Sequence, residues 1–292
     1  MKFSHLTLTA LLSVFAVTAF AKTPVKEINK VIYGKDDRMD VYESSDSLMK
    51  EIALSTAAQI LNHNLVQTGE TFTIKSETLA EGGVCKTERF SQQLAAANCS
   101  GFLVAPDKLV TAGHCINTAF DCSQHSWVFD FANTEEEKTS FTFNKSQVYR
   151  CTGIIERQKD IRTQSDYAVI KLDRPVLGRE PLRIRTSGKP ANDAVLTVIG
   201  HPTGLPTKIT AAADMRNNSN PIFFVTNADT YGGNSGSAVV DSRTGIVEGI
   251  LVRGDQDYAR SSAGCMESVY RDQDGGRGED VTRITIIKAL KK

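Results

Sequence analysis

The chain has 292 residues, 40% of them apolar and 23% charged, with 34 basic side chains against 34 acidic ones. That balance fits a soluble globular protein with material for one large or two small domains. It excludes the basic excess that marks nucleic-acid binders and proteins drawn to anionic membranes.

The first residues depart from this average. Lys2 precedes a mostly apolar run from Leu6 to Phe20, and the run ends in Ala19-Phe20-Ala21. A basic start, a short apolar stretch and small residues at the −3 and −1 positions predict an export signal, residues 1–21, cleaved after Ala21. A membrane anchor is the competing reading, but this run is short for a span and no later stretch is long enough. The mature protein is therefore expected to be secreted or periplasmic, and free of the membrane once the signal is removed. All six cysteines, Cys85, Cys99, Cys115, Cys122, Cys151 and Cys265, follow that signal. An even number in an oxidising compartment predicts disulfides, with fifteen pairings open. No pair has Cys-x-x-Cys spacing, so no zinc site is expected.

Residues 22–44 are polar and mixed. From Ser45 onward Leu54, Ala57, Ala58, Leu61 and Leu65 recur at helical spacing, with Leu48 and Ile52 leading in and Ser45 or Asp46 available as a cap. This predicts one amphipathic helix, with Ser55 to Ile60 opening the first strand as the alternative. Short β-rich runs follow from Cys99. They are Gly101 to Val104, Leu109 to Ala112, Trp127 to Phe131, Phe141 to Phe143, Val148 to Ile155 and Tyr167 to Leu172. After Pro175 come Leu182 to Ile184, Val195 to Ile199, Ile209 to Ala213, Ile222 to Thr226, Ser237 to Val240 and Ile246 to Val252. About a dozen short strands punctuated by Gly, Pro and Asn predict an all-β protein, and two barrels suit that number better than one. Asp272 to Glu279 reads as a loop without the ligand positions of a calcium site. Val281 to Leu290 is expected to close the chain as a short helix.

Chemistry gathers at three places. Asp229-Thr230-Tyr231-Gly232-Gly233-Asn234-Ser235-Gly236-Ser237 sets a serine between glycines at the mouth of an apolar run. Glycines there permit backbone angles closed to other residues and leave amide groups open beside a nucleophile. His114 ends the run Val110-Thr111-Ala112-Gly113-His114-Cys115. Asp166 stands directly before the apolar Tyr167-Ala168-Val169-Ile170, where a carboxylate needs a partner. By contrast Asp173 and Asp160 sit in turn-like, charged surroundings. His63, His125 and His201 lack such company and read as structural or exposed.

Ala112-Gly113-His114-Cys115, Asp166-Tyr167-Ala168-Val169-Ile170 and Gly233-Asn234-Ser235-Gly236-Ser237 resemble the His, Asp and Ser motifs of chymotrypsin-like serine proteases, in that family's chain order. Cys99-Ser100-Gly101 and the sixteen-residue step to Cys115 resemble the family's disulfide beside the histidine. Asparagine before the serine is similar to the bacterial glutamyl-endopeptidase branch. The resemblance implies two six-stranded antiparallel β-barrels of the chymotrypsin type with short peripheral helices. Lys30-Val31-Ile32-Tyr33-Gly34 resembles a processing site, which would make 22–30 a propeptide, the alternative being that Lys30 merely precedes a strand. The resemblance further implies an N-terminal segment and first barrel at 31–178 carrying His114 and Asp166, and a second barrel with a C-terminal helix at 179–292 carrying Ser235. Beyond Cys99–Cys115, the expected pairs are Cys122–Cys151 and, by remainder, Cys85–Cys265.

The implied roles are Ser235 as nucleophile, His114 as general base and acid, Asp166 as its orienting acid, and the Gly233 and Ser235 amides as oxyanion hole. No cofactor and no metal are implied, and the partners are protein or peptide substrates of a monomer. By register, Asp229 falls at the base of the primary pocket, where it selects Lys or Arg, with Thr230 and Gly254 as walls. Leu251 stands where glutamate-specific members place a histidine, and Arg253 where the binding strand usually has tryptophan. Acidic specificity is the alternative, as is a catalytically silent binding module on the same scaffold. An esterase elbow is disfavoured, since Ser237 replaces its last glycine and its chain order puts the histidine last. Asn234 is uncharged, so the aspartate ion pair that activates animal relatives cannot form here.

Overall fold

The computed structural model describes residues 31–136 and 138–291, so the expected signal and the propeptide lie outside the described residues. Short runs of β-branched and aromatic residues between turn formers make strands here, and twelve of them close two antiparallel six-stranded barrels.

Around the first barrel the strands follow the order Val148–Asp160, Ser165–Leu172, Lys108–Thr111, Ala97–Ala105, Thr56–Leu61 and His125–Phe129, which pairs back onto the first. Trp127, Leu103, Leu109, Phe129, Tyr149 and Ile170 fill one end of its interior. A β-carbon on Gly101 would meet Leu109 Cδ2 at 2.4 Å and Trp127 Cζ3 at 2.7 Å, so only glycine fits at that point of the wall. The second barrel runs Val195–Gly200, Ala238–Asp241, Val247–Arg253, Glu279–Arg283, Phe223–Thr226 and Lys208–Asn217, closing again on Val195–Gly200. Leu196, Val198, Phe224, Val239, Leu251 and Val281 fill it. Between the barrels lies a continuous apolar layer that includes Phe102, Val110, Val169, Ile199, Val240 and Ile250. Burying such side chains stabilises the fold by roughly 1.5–3 kcal/mol each, so the layer locks one barrel against the other.

Several expectations need correction. The helix stops early: Ser47–Leu54 is helical, capped by the Asp46 side chain on the Leu48 and Met49 amides, and Thr56–Leu61 is already a barrel strand. Small Ala57 and Ala58 suit a helix face, but in the strand they point to opposite sides, and pairing with Ala97–Ala105 on one edge and His125–Phe129 on the other overrides their propensity. Phe141 to Phe143 lies outside the barrels, its strand Thr142–Asn144 joining Leu65–Thr68 and Thr71–Ile74 in a small sheet. Residues 182–184 form no strand, only a bridge from Ile184 to Val247. Among the described residues there is no C-terminal α-helix. Glu279–Arg283 completes the second barrel, and two 3₁₀ turns, Ile284–Ile286 and Lys288–Leu290, follow, because the β-branched run from Val281 to Ile287 disfavours helix. The amino-terminal segment, assigned with the first barrel, docks on the second: Arg38–Asp40 pairs with the strand Lys208–Asn217, and Ile32–Tyr33 with Tyr270–Arg271. Among the described residues no helix is long and apolar enough to cross a membrane.

The cysteines pair as Cys85–Cys265, Cys99–Cys115 and Cys122–Cys151. Cys122–Cys151 clips the short helix Ala119–Gln124 to the strand Val148–Asp160 of the first barrel. Cys85–Cys265 ties the long connection between the first-barrel strands Thr56–Leu61 and Ala97–Ala105 to a hairpin beside the second barrel.

Candidate active site

The three chemically marked stretches come together where the barrels meet. His114 follows the strand Lys108–Thr111 in a tight turn in which the Cys115 amide donates to the Ala112 carbonyl. Gly113 is the condition for that turn. A β-carbon there would lie 2.2 Å from the Gln158 carbonyl oxygen and 3.0 Å from Asp166 Oδ1. With no side chain in the way, Asp166 reaches His114 twice. Its Oδ1 accepts the His114 main-chain N–H at 3.0 Å, and its Oδ2 lies 2.8 Å from His114 Nδ1. Burial alone would raise the Asp166 carboxyl, but the hydrogen bonds and charge of His114 outweigh it and hold its pKa below the ordinary value. The carboxylate therefore stays ionised and fixes the ring.

The histidine loop has a second brace, built from outside its own motif. Arg157 Nε donates to the Gly113 carbonyl at 2.8 Å and its terminal nitrogen to Asn117 Oδ1 at 2.9 Å, while Asn117 Nδ2 donates to the His114 carbonyl. Nothing local marks Arg157, which lies in a charged run and reaches the loop only through strand pairing.

Ser235 belongs to the loop entering the strand Ala238–Asp241. Its carbonyl accepts the Ser100 N–H at 2.8 Å and lies 3.6 Å from Cys115 Sγ, so serine, disulfide and histidine turn share one corner. Ser100 also donates its hydroxyl to the Gly233 carbonyl at 2.8 Å and accepts the His201 N–H. Ser100 thus carries the second-barrel loop on a first-barrel strand; its place between Cys99 and Gly101 was the only hint. Gly236 fits under the same strand, since a β-carbon there would stand 2.0 Å from the Ser100 carbonyl oxygen.

The amides of this loop divide into two groups. Gly232 donates to Asp257 Oδ2, Asn234 to the Tyr231 carbonyl and Gly236 to the Leu251 carbonyl. The N–H groups of Gly233 and Ser235 make no hydrogen bond among the described residues. The Gly232 carbonyl accepts the Thr203 N–H at 2.5 Å, and in a trans peptide that turns the Gly233 N–H the opposite way. Gly233 sits at φ +87°, with the His201 carbonyl oxygen 2.4 Å from where a β-carbon would be. His201 itself is buried behind this peptide, its Nδ1 3.0 Å from the Leu205 carbonyl, and burial pushes its pKa down to about 3. It is a neutral structural ring. Buried Asn234 accepts the Ser237 hydroxyl at 3.1 Å, and its Nδ2 has no partner among the described residues.

The residues expected to line the primary pocket separate. Asp229 is buried and bound from its own side: Oδ1 accepts the Tyr33 N–H at 2.6 Å, and Oδ2 accepts the Asp37 N–H at 3.1 Å. It anchors the amino-terminal segment. Leu251 packs inside the second barrel. Arg253 binds Asp280 through Nε at 2.7 Å and the Gln164 carbonyl at 3.0 Å, bridging the two barrels beside Asp166, whose pKa its charge also lowers. Thr230 and Gly254 do face one another, and between them stands Glu279. Thr230 Oγ1 donates to Glu279 Oε2, and the Asp255 N–H donates to Oε1 at 3.2 Å. In the sequence Glu279 reads only as the end of a loop. Asp160 and Asp173 are turn residues, accepting main-chain N–H groups of Arg162 and Thr163, and of Arg150. His125 Nδ1 lies 2.8 Å from the Asp121 carbonyl.

Among the described residues one cluster has metal-ligand composition: Cys99, His114 and Cys115, with donor atoms within 4.8 Å of one another. Its two sulfurs are joined as a disulfide, which removes the thiolates that metal binding needs.

Among solved structures, the chain is similar to a Glu endopeptidase determined in complex with MPD, at TM-score 0.48 and 17% identity over 89% of this chain and 95% of that one. It is also similar to the serine endoprotease from Yersinia pestis, at TM-score 0.44 and 18% identity over 72% of this chain and 58% of that one. No curated protein matches the chain. The family described as the trypsin-like peptidase domain matches residues 99–250, which hold His114, Asp166 and Ser235 and make up more than half of the sequence. The chain belongs to the trypsin-like peptidase family.

Proposed function

We propose that this serine endopeptidase works through Ser235, His114 and Asp166, on protein or peptide substrates outside the cytoplasm, cutting after lysine or arginine. The observation that carries the reading is the pairing of the Asp166 carboxylate with both the ring and the main-chain N–H of His114, next to a serine flanked by two disengaged amides. Ser235 Oγ attacks the scissile carbonyl while His114 takes its proton. His114 then protonates the departing amine, and Asp166 holds the tautomer and the imidazolium. The Gly233 and Ser235 amides face the developing oxyanion, a donor of this kind contributing about 3 kcal/mol. Water repeats the cycle on the acyl-enzyme.

Export is supported by the leader sequence and by three disulfides, which persist in oxidising compartments. A silent binding module is disfavoured, since the chain keeps Ser235, His114 and Asp166 together with Gly233. A fluorophosphonate probe tests the catalytic reading. The wild type should be labelled and Ser235→Ala should not, whereas an unlabelled wild type would refute an activated serine.

A further inference from the structure

Three consecutive peptides lead into Ser235, and each is held by its carbonyl. The Gly232 carbonyl accepts the Thr203 N–H, the Gly233 carbonyl accepts the Ser100 hydroxyl at 2.8 Å, and the Asn234 carbonyl accepts the Ser237 N–H at 2.9 Å. The first and third of these peptides carry the disengaged N–H groups of Gly233 and Ser235. In a planar trans peptide the N–H points away from the carbonyl, so the outer two clamps aim the two donors. The middle peptide sets the angle between them. It hinges on Gly233, at φ +87°, where no β-carbon restricts rotation. Two of the three clamps are main-chain groups, and the middle one is the side chain of Ser100.

The Ser100 proton has one place to go. Its oxygen also accepts the His201 N–H at 2.9 Å, and a main-chain N–H only donates, so the hydroxyl hydrogen is left for the Gly233 carbonyl. Ser100 is fully buried, which keeps water from competing for either contact. Room for the hydroxyl comes from Gly200, where a β-carbon would stand 2.8 Å from Ser100 Oγ and 1.8 Å from Ser237 Oγ. The main chain of the same residue is committed as well. The Ser100 N–H holds the Ser235 carbonyl at 2.8 Å, and the Ser100 carbonyl accepts the Thr111 hydroxyl at 2.7 Å, on the strand that leads to His114. One residue of the first barrel thus touches the nucleophile's loop at two peptides and the strand that delivers the histidine.

We propose that Ser100 is a positioning residue for the oxyanion hole: its hydroxyl, by holding the Gly233 carbonyl, fixes the angle at which the Gly233 and Ser235 amides face the tetrahedral intermediate. Ser100 touches no reacting atom and acts through the peptide between Gly233 and Asn234. Because it stands on the barrel of His114, the donors of one barrel and the general base of the other share a frame. The inference rests on the peptidase reading above and adds to it a residue that sets its geometry.

The test uses the full chain, a peptide p-nitroanilide with lysine before the scissile bond, and a matched peptidyl trifluoromethyl ketone. Ser235 Oγ adds to the ketone carbon, His114 takes the proton, and the resulting oxyanion lies in the hole. Losing one donor outright costs about 10²–10³ in kcat, and a donor kept but misaimed should cost less. Ser100→Ala should therefore lower kcat about 10- to 100-fold with KM within about threefold, since the interaction is made only in the transition state. Affinity for the ketone should fall in proportion. Ser100→Val repeats the loss without opening a cavity, and Ser100→Thr, shaped like valine, keeps the hydroxyl and should stay within about fivefold of wild type. Ser55 makes a comparable buried contact away from the site, its hydroxyl donating to the Glu180 carbonyl at 2.6 Å. Ser55→Ala should lower the melting temperature and leave kcat and ketone affinity alone. Near-normal kcat in Ser100→Ala or Ser100→Val, a rise in KM in place of the fall in kcat, unmoved ketone affinity, or an equal loss in Ser100→Thr or Ser55→Ala would each overturn the proposal. A wild type that neither hydrolyses the anilide nor takes the fluorophosphonate label would overturn the peptidase reading itself, whereas a labelled, active wild type with insensitive Ser100 variants overturns the positioning role alone.

Discussion

Replacing Asp166 by asparagine changes one atom and should cost most of the activity, for a reason visible in the hydrogen bonds. Oδ1 accepts the main-chain N–H of His114 at 3.0 Å, and Oδ2 faces Nδ1 at 2.8 Å. A carboxylate accepts at both ends, whereas an asparagine amide accepts at one and donates at the other. The main-chain N–H can only donate, so it keeps the oxygen of Asn and leaves the NH₂ facing Nδ1. The ring must then accept at Nδ1 and carry its proton on Nε2, the nitrogen that has to receive the Ser235 proton. A wrong tautomer of this kind costs about 10⁴ in kcat, or about 5.5 kcal/mol of barrier. The fold should barely notice, because size and both contacts are kept. The assay is kcat on an activated ester from pH 6 to 9 beside a thermal melt. Expected is a drop of about four orders of magnitude across that range with a melting temperature within a few degrees of wild type. A loss under tenfold in a folded variant would refute the assignment of Asp166.

Gly233→Ala should abolish the oxyanion hole, because φ +87° is strained for alanine and its methyl would sit 2.4 Å from the His201 carbonyl oxygen. A fall in kcat of about 10²–10³ is expected, and near-normal turnover would show that this amide is not a donor. A pH effect on stability follows from Asp37 and Asp229, whose carboxyls are raised by burial first and then, for Asp37, by the charge of Asp229. An acid raised in the folded state holds a proton that the unfolded chain gives up above about pH 4, so stability should fall as pH rises from there until the pair is ionised near pH 8. Asp37→Asn removes the repulsion and should flatten that decline by about 2 kcal/mol, seen as melting temperatures that converge at pH 5 and separate at pH 8.5. Parallel curves would argue against a shared proton.

The parts of this molecule that were legible in the sequence are those in which neighbours along the chain do the work. Gly113 beside His114, and Gly233 and Gly236 about Ser235, announce close approaches, and the approaches are there. The many short β runs implied barrels because each is bounded by turn formers. What misled was propensity without context. Ala57, Ala58 and Leu61 suit a helix as well as a strand, and only the partners on either side decide. Val281 to Leu290 reads as a helix from its sequence, although its β-branched residues are better used in the last strand and the turns after it.

The surroundings of Asp229 and Gly254 show the same limit at the level of chemistry. Asp229 was singled out because it stands six residues before Ser235, and register along one loop makes it a pocket acid. Register says nothing about what approaches from elsewhere, and the amino-terminal segment brings two main-chain N–H groups to that carboxylate. Glu279 lies far along the chain in a glycine-rich stretch without apolar pattern. It reaches Gly254 because its strand is hydrogen-bonded to Val247–Arg253, a pairing that no local spacing reports. Ser100 and Arg157 are hidden for the same reason: each serves a loop on a different strand. A glycine read as an open pocket wall, Gly254, is better understood as the space that a distant carboxylate fills. Residues that make the chemistry cluster in motifs, because neighbouring backbone positions them. Residues that arrive across strand pairs leave no mark on local spacing, so two chains sharing His114, Asp166 and Ser235 can differ around Thr230 and Gly254 without any change in the motifs themselves.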